Sequence, residues 1–466
     1  MDLGILRAKL EEIGLPFELF GNGGSRVYLV GGCIRDAILK REITDFDFAV
    51  EGSGVEYARL FSEKLGATFV PLKLDEGRVV YRKTWTFDFS GLGGHEIEKD
   101  LWERDFTINA MAIELWHLLR GEWRLMDPTS GAKDLRSKRI RMTSEQSMVE
   151  DPLRILRTFR FASQLDFAID VDTRKAVRRH KRLLTVVAGE RIWHELSLIL
   201  QTGRSWRWVE EMGESGVLSV LLPEFDAMRT YPELDLMHHS ILSLKELEAI
   251  LSGERITVFG GMERELRRYF NWRQRKPLLK LATLLHDIGK PPTFSADEKG
   301  GIHFYGHDTL GQELLSPILK ERLRMSRREI DTITRLVRYH MRPHLLGREM
   351  ELTQRAMRRF FTDLGEEWLG VILLAFADAL ATGNGGVSQL EHLTSQLVSF
   401  RKKEEKKGKV ERLIGGTDLI DELHLQPGPL FRHILERVEE EQLEGAIRSR
   451  EEALDLVRKI LEEGGQ

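Results

Sequence analysis

The sequence predicts a multidomain α+β protein, a small head of mixed sheet and helix followed by a long, mostly α-helical remainder. Three observations carry this. At 466 residues the chain is too long for one ordinary hydrophobic core and should divide into roughly three or four domains of about 100–150 residues each. Short runs rich in β-branched and aromatic residues alternate with helical patterns near the N-terminus. From Glu150 onward the pattern is helical almost throughout. The expected divisions are residues 1–135 for the head, 136–228 for a helical neck, 229–385 for a second chemistry-bearing domain and 386–466 for a helical tail.

Hydrophobic residues make up 41% and charged residues 31% of the chain. No run of 18 apolar residues and no basic-then-apolar leader occurs, so a cytoplasmic protein with no membrane partner is expected. A formal net charge of −4 argues against indiscriminate coating of nucleic acid. Basic residues nevertheless cluster at Arg174, Lys175, Arg178, Arg179, Lys181 and Arg182, and again along residues 322–359. Such clusters suit a solvated helix face and an RNA track equally well. The single cysteine, Cys33, excludes an internal disulfide and a cysteine-based zinc site, and its place in a strand-to-helix turn reads as a small buried residue.

Taken in order, Leu3, Leu6, Leu10 and Ile13 form an amphipathic helix that ends near Gly14 and Pro16. Val27-Tyr28-Leu29-Val30 reads as a strand that stops at Gly31-Gly32 and passes into a helix, a geometry that lets backbone N–H groups approach a phosphate. The next strand, in residues 43–50, carries Asp45 and Asp47 on one face and Phe46 and Phe48 on the other. Two carboxylates so close repel each other unless a cation lies between them, and oxygen-only ligands suit Mg²⁺. Gly52-Ser53-Gly54 opens a helix through Leu65, and three β-rich runs follow at residues 67–70, 78–82 and 84–90. Asp88, in Trp85-Thr86-Phe87-Asp88-Phe89, is a candidate third carboxylate. Residues 100–112 predict a helix end, a turn capped by Asp105 or Thr107 and a new helix, with Arg104 as a candidate phosphate clamp.

Leu29-Val30-Gly31-Gly32-Cys33-Ile34-Arg35-Asp36, Asp45-x-Asp47, Arg104-Asp105-Phe106-Thr107-Ile108-Asn109-Ala110, Glu150-Asp151-Pro152-Leu153-Arg154 and Glu190-Arg191-Ile192-x-x-Glu195 occur in that order. Together they resemble the class II tRNA nucleotidyltransferase and bacterial poly(A) polymerase family. The resemblance implies a polymerase-beta-like nucleotidyltransferase head in which Asp45 and Asp47 hold catalytic Mg²⁺. It implies that Gly32, Arg35 and Arg104 meet the incoming triphosphate. It also implies that Asp151 and Arg154 read the base, with Arg157 and Arg160 one and two turns further on. The chemistry agrees, because Asp151 can accept from an exocyclic amino group while Arg154 donates to a ring nitrogen, which admits cytosine and adenine. Residues three apart share a helix face, so 151, 154, 157 and 160 are expected as one stripe.

Two departures stand out. Glu103 occupies the place of a first arginine in the family's usual arginine pair, and only residues 91–99 separate the Asp88 strand from the helix containing Asp100. Many CCA-adding members carry a longer flexible loop there, associated with the switch from C to A; the shortness resembles CC-adding specialists.

Further on, His239, His286-Asp287 in Leu284-Leu285-His286-Asp287-Ile288-Gly289-Lys290, His307, His340 and Asp378 resemble the HD phosphohydrolase superfamily. Imidazoles with carboxylates on several helices can hold one or two divalent transition metals. The charged run in residues 401–409 reads as a solvated helix end or linker, and two helical patterns then end near Leu461 in a tail resembling an RNA-holding segment. The expected activity is addition of CMP and AMP, as CCA or CC, to the 3′ end of tRNA from CTP and ATP. A poly(A) polymerase and a phosphohydrolase working mainly through the HD domain are the alternatives.

Overall fold

The computed structural model describes residues 3–16, 19, 25–72, 75–229, 235–254, 259–383, 386–407, 412–444 and 446–463. The chain forms two compact units, Met1–Pro232 with Ile318–Met325, and Glu233–Pro317 with Ser326–Gln466. The expected head and neck fall in the first; the HD region and tail fall in the second, apart from the short return of 318–325.

The first unit opens with helix α1 (Gly4–Ile13), which buries Leu6, Leu10 and Ile13 and stops at Gly14 in the left-handed conformation. Its sheet contains strands β1 (Val27–Val30), β2 (Asp45–Val50), β3 (Thr68–Pro71), β4 (Glu76–Tyr81), β5 (Trp85–Gly91), β6 (Ala112–Glu114) and β7 (Leu125–Met126). Their order is β3-β4-β5-β2-β1-β6-β7, antiparallel except for the parallel pair β2 and β5. All four residues of β1 are buried, as suits a central strand. Helix α2 (Gly32–Ile38) follows β1 directly, and helix α3 (Gly54–Leu65) starts at Ser53, whose side chain accepts from the Glu56 N–H.

The parallel register sets up the site. Phe46 faces Phe87 and Phe48 faces Phe89, with ring centroids 5.5 Å and 4.8 Å apart, and Phe61 of α3 closes over Phe87 and Phe89 at 5.1 Å and 5.0 Å. Such ring pairs contribute about 0.5–1.5 kcal/mol each beyond the area they bury. With the aromatic face locked into the core, alternation sends Asp45, Asp47 and Asp88 to the opposite face.

Helix α4 (Ile97–Glu103) leads to Arg104, but the helix expected after Thr107 is a single 3₁₀ turn, Thr107–Asn109, which runs into β6. The small buried residues Ala110, Met111 and Ala112 suit the sheet interior as well as a helix face, and pairing of β6 with β1 decides between them. The stripe expected from residues 151, 154, 157 and 160 is also interrupted. The backbone is extended at Asp151, between the helices Gln146–Glu150 and Arg154–Leu165, so Arg154, Arg157 and Arg160 share a helix while Asp151 stands just outside it. The helical remainder includes one parallel pair, Arg139–Ile140 with Ala168–Ile169.

In the second unit the helix Trp368–Thr382 is buried along most of its length and packs against Leu236–Leu251. Arg275–Leu285 and Arg327–Tyr339 pack against it and against each other, His307–Pro317 packs on Arg327–Tyr339, and a two-stranded hairpin joins Ser295–Ala296 to Ile302–His303. The charged run continues the helix Val387–Lys407, while Gly408 and Lys409 lie outside the described residues. After the charged run the described residues hold three helices where two were expected, because the short Gly416–Asp421 precedes Pro429–Glu444 and Arg450–Glu463; Leu419, Ile434, Val438 and Val457 are among the residues of their shared core. Among the described residues no helix is long and apolar enough to cross a membrane.

Candidate functional site

In the first unit Asp47 lies directly beside Asp88 across the parallel pair, and Asp45 lies beside Thr86. Asp47, Asp88 and Arg104 line a cleft of about 230 Å³ together with Val30 and Glu76. Burial, reinforced by the charges of Asp88 and Asp45, raises the Asp47 carboxyl to about 6 even though Arg104 opposes the shift. A partly desolvated carboxylate among like charges is a fitting ligand for a divalent cation. Asp88 is already engaged: its two oxygens accept from Arg78 Nε and Nη2, each at 2.7 Å, which leaves each oxygen one further lone pair.

The glycine requirement falls on Gly31, not on Gly32. Gly31 has φ +78°, and a Cβ there would lie 2.9 Å from Arg104 Nη1 and 3.1 Å from Asp47 Oδ2. At Gly32 a Cβ would meet the Arg35 guanidinium at 3.4 Å, an ordinary contact. Arg35 is held by Asp36 at 2.7 Å and donates to Asn109 Oδ1 at 2.7 Å; Arg104 donates to Asp100 at 2.9 Å. Glu103 turns outward toward Lys99 at 3.7 Å, and its backbone carbonyl accepts from Arg154 Nη1 at 2.9 Å.

Arg157 and Arg160 face inward. Arg157 pairs with buried Asp105 at 2.6 Å, and Arg160 pairs with buried Glu195 at 2.6 Å. Burial alone would raise the Asp105 carboxyl, but Arg157, Asn109 and the Phe106 N–H hold it below its ordinary value. Asp151 is gripped through both oxygens by Arg191 at 3.3 Å. Phe161 sits under three guanidiniums, those of Arg35, Arg157 and Arg160, at 5.2, 5.6 and 4.1 Å. Of the six residues of the first basic cluster, three form ion pairs on the protein itself: Arg174 with Glu211, Lys175 with Asp172 and Arg179 with Glu145.

In the second unit the six predicted ligands converge. His239 Nε2 lies 3.0 Å from Asp378 Oδ1, and His286 Nε2 lies 3.3 Å from Asp287 Oδ2. His307 Nε2 and His340 Nε2 are 3.2 Å apart, with Asp287 Oδ1 at 3.8 Å and 3.9 Å. His286, His307 and His340 each set Nδ1 against a backbone carbonyl, of Thr283, Phe304 and Val337, at 2.7–2.8 Å. A metal would require them as neutral rings that donate there and turn their Nε2 lone pairs inward; without one, burial is overcome by the charges of Asp287 and Asp378, which push the His286 imidazole up to about 10. Two lone pairs facing each other repel unless a cation or proton intervenes, and His286 Nε2 and Asp287 Oδ1 are buried without a hydrogen-bond partner. Burial works against ionising Asp287, but His286 and Lys290 hold its carboxyl well below the usual range. This nitrogen and carboxylate donor set fits a divalent transition metal.

The family model described as the poly A polymerase head domain matches residues 27–84 and 71–141. The probable RNA and SrmB-binding site of polymerase A matches 166–229, and the HD domain matches 256–383. The A-adding tRNA nucleotidyltransferase of Deinococcus radiodurans is 30% identical over 456 residues, covering 93% of this chain and 95% of its own. The chain belongs to the tRNA nucleotidyltransferase family. The CC-adding tRNA nucleotidyltransferase of Synechocystis sp. is 28% identical over 439 residues, covering 93% of both chains. A CCA-adding enzyme solved in complex with ATP shares the fold, with a TM-score of 0.66 at 22% identity over 98% of each chain.

Within this tRNA nucleotidyltransferase several site neighbours escape sequence reasoning. Arg78 braces Asp88 across the β4–β5 pair, and Arg191 and Glu195, visible in the sequence as a motif but not in these pairings, brace Asp151 and Arg160. Lys290 reaches Asp287 Oδ2 at 2.6 Å, and His344 reaches Asp378 Oδ2 at 3.0 Å. Their spacing offered a signal: Lys290 is one helical turn after Asp287, and His344 one turn after His340.

Proposed function

We propose that the chain extends the 3′ end of tRNA with CMP from CTP, building CC, and adds the terminal A slowly or not at all. The tRNA 3′ oxygen attacks the α-phosphate and pyrophosphate leaves. Mg²⁺ held by Asp45 and Asp47 would supply the charge neutralisation for this in-line transfer. Arg104 and Arg35 orient the triphosphate, while Gly31 keeps the turn open for Arg104 to lie against Asp47. Asp151, steadied by Arg191, accepts from the exocyclic amino group of the base, and Arg154, tethered to the Glu103 carbonyl, donates to its ring nitrogen. The inward-turned Arg157 and Arg160 position that helix.

The observation that carries CC over CCA is the connection between β5 and α4. Between Gly91 and Ile97 it offers only a tight turn with Gly93 and Gly94 at φ +58° and +83°. Leu92 pins it: its side chain is buried with Ile97 and Leu101, and its N–H donates to the Val50 carbonyl at 2.9 Å. A segment so short and anchored has no length with which to shift the base reader from C to A. Glu103 adds nothing to this, since its carboxylate faces Lys99 and solvent.

Transcripts of tRNA ending before C, after C and after CC, each offered single nucleotides, test the proposal. Two C residues are expected to add readily, with little A on the CC-ending transcript. Fast addition of one A to that transcript overturns the CC assignment and leaves nucleotidyl transfer standing; long A-only tails on unrelated RNA overturn both. The buried His and Asp cluster supports a second activity, hydrolysis of a phosphate ester by a divalent transition metal in the HD region.

A further inference from the structure

In the second unit, residues of the helices Gln354–Leu364, Val387–Lys407 and Pro429–Glu444 line a cleft of about 830 Å³. Phe361 and Phe400 lie nearly parallel in its wall, centroids 6.3 Å apart at 11°. The guanidinium of Arg401 lies 5.4 Å from the Phe361 ring, and that of Arg358 lies 5.8 Å from Phe400. The result is a layered floor of rings and planar cations.

Arg358 is the anomaly. Its side chain is only 10% exposed, yet Nε and Nη1 are buried without a hydrogen-bond partner. Nη2 donates to Gln354 at 3.3 Å, and the nearest carboxylate, Glu404, stands 3.9 Å from Nε. Other arginines among the described residues leave one buried nitrogen unpaired; Arg358 leaves two. A desolvated guanidinium with donors unmet is unfavourable on its own, and a phosphate can accept along either of its edges, Nε with Nη2 or Nη1 with Nη2, meeting one of the two unmet donors. Six arginines line the cleft against five carboxylates, so the balance is mildly cationic.

We propose that this cleft binds one nucleotide of an RNA strand, its phosphate accepting from Arg358 and its base lying against the Arg401 and Phe361 layer. Bases of unpaired RNA stack on aromatic rings and on arginine planes, a feature an acidic peptide does not use. The choice of RNA rests on the tRNA substrate proposed above.

Fluorescence anisotropy with labelled tRNA lacking its 3′ end, run across a range of KCl concentrations, tests it. Loss of one phosphate contact in Arg358→Gln should flatten the slope of log K against log salt by about 0.7, the single-strand value, and weaken binding roughly fourfold at about 0.15 M salt. Arg358→Lys should keep most of the slope. Arg359→Gln, an exposed change in the same cleft, supplies the comparison should Arg358→Gln fold poorly by circular dichroism, with the same direction expected. Photo-cross-linking of thiouridine-containing tRNA should label the peptide containing Phe361. Unchanged affinity and slope in the folded variants, or cross-links absent from residues 354–364 and 396–405, overturn the inference while wild-type extension of tRNA stands. A wild-type chain that neither binds nor extends tRNA overturns the functional proposal and this one together.

Discussion

Asp47 sets stability against chemistry. Its folded carboxyl sits at about 6, against about 3.9 for an unfolded aspartate, so between those values the folded state holds a proton that the unfolded state releases. Stability therefore falls as pH rises through that window, and above it the ionised side chain costs about 1–2 kcal/mol once its partial exposure is allowed for. Asp47→Asn is expected to abolish nucleotide addition while raising the unfolding midpoint at neutral pH in chelator, an advantage that fades as pH falls from about 6 and is gone below about pH 4. A lowered midpoint at neutral pH would contradict the burial argument. The Asp-x-Asp pair was legible from sequence because strand alternation needs only residues two apart. Arg78 was not, since its place beside Asp88 depends on the pairing of β4 with β5. Cys33 agreed with its sequence reading: burial first, then the Asp47 charge, pushes its thiol up to about 12.

At the scale of elements, the Arg154–Leu165 helix is positioned by pairs that reach outside it. Arg160 is buried, which lowers its pKa, and Glu195 of the helix Gly189–Leu200 is its carboxylate. Removing one partner of a buried pair leaves an uncompensated charge, so Glu195→Ala should cost about 3–5 kcal/mol. The double change Arg160→Met with Glu195→Leu should recover most of that loss, as urea unfolding of the two variants would show. Equal destabilisation by single and double variants would mean that packing, not charge, is what Glu195 supplies. The motif Glu190-Arg191-Ile192-x-x-Glu195 was visible in the sequence, but its pairing with Asp151 and Arg160 was not, because helical spacing reports only neighbours within one element. The break at Asp151 and the 3₁₀ turn at Thr107 were missed similarly. Each replaces local helical preference with a tertiary demand: Arg191 grips Asp151, and pairing with β1 claims the chain after Asn109.

Over the whole molecule, strand-rich head and helical remainder were legible because hydrophobic period changes from two to 3.6 along the chain. Grouping into two units was not, since the return of Ile318–Met325 to the first depends on contacts between residues about a hundred positions apart, such as Arg322 with Glu224 at 2.7 Å. The carboxylates of the cleft lie in the first unit and the His and Asp cluster in the second, and they share no ligand. Groups without common partners act nearly additively, so His286→Ala should leave the rate of nucleotide addition within about twofold of wild type. The same variant should lose the rise in unfolding temperature that Mn²⁺ or Ni²⁺ confers on the wild-type chain, because a cation that binds only the folded cluster stabilises it by mass action. Circular dichroism shows whether the variant is folded, and melting with and without metal reads the cluster independently of any hydrolysis. A folded variant that loses addition along with its metal response would show that the two centres are coupled and not separate.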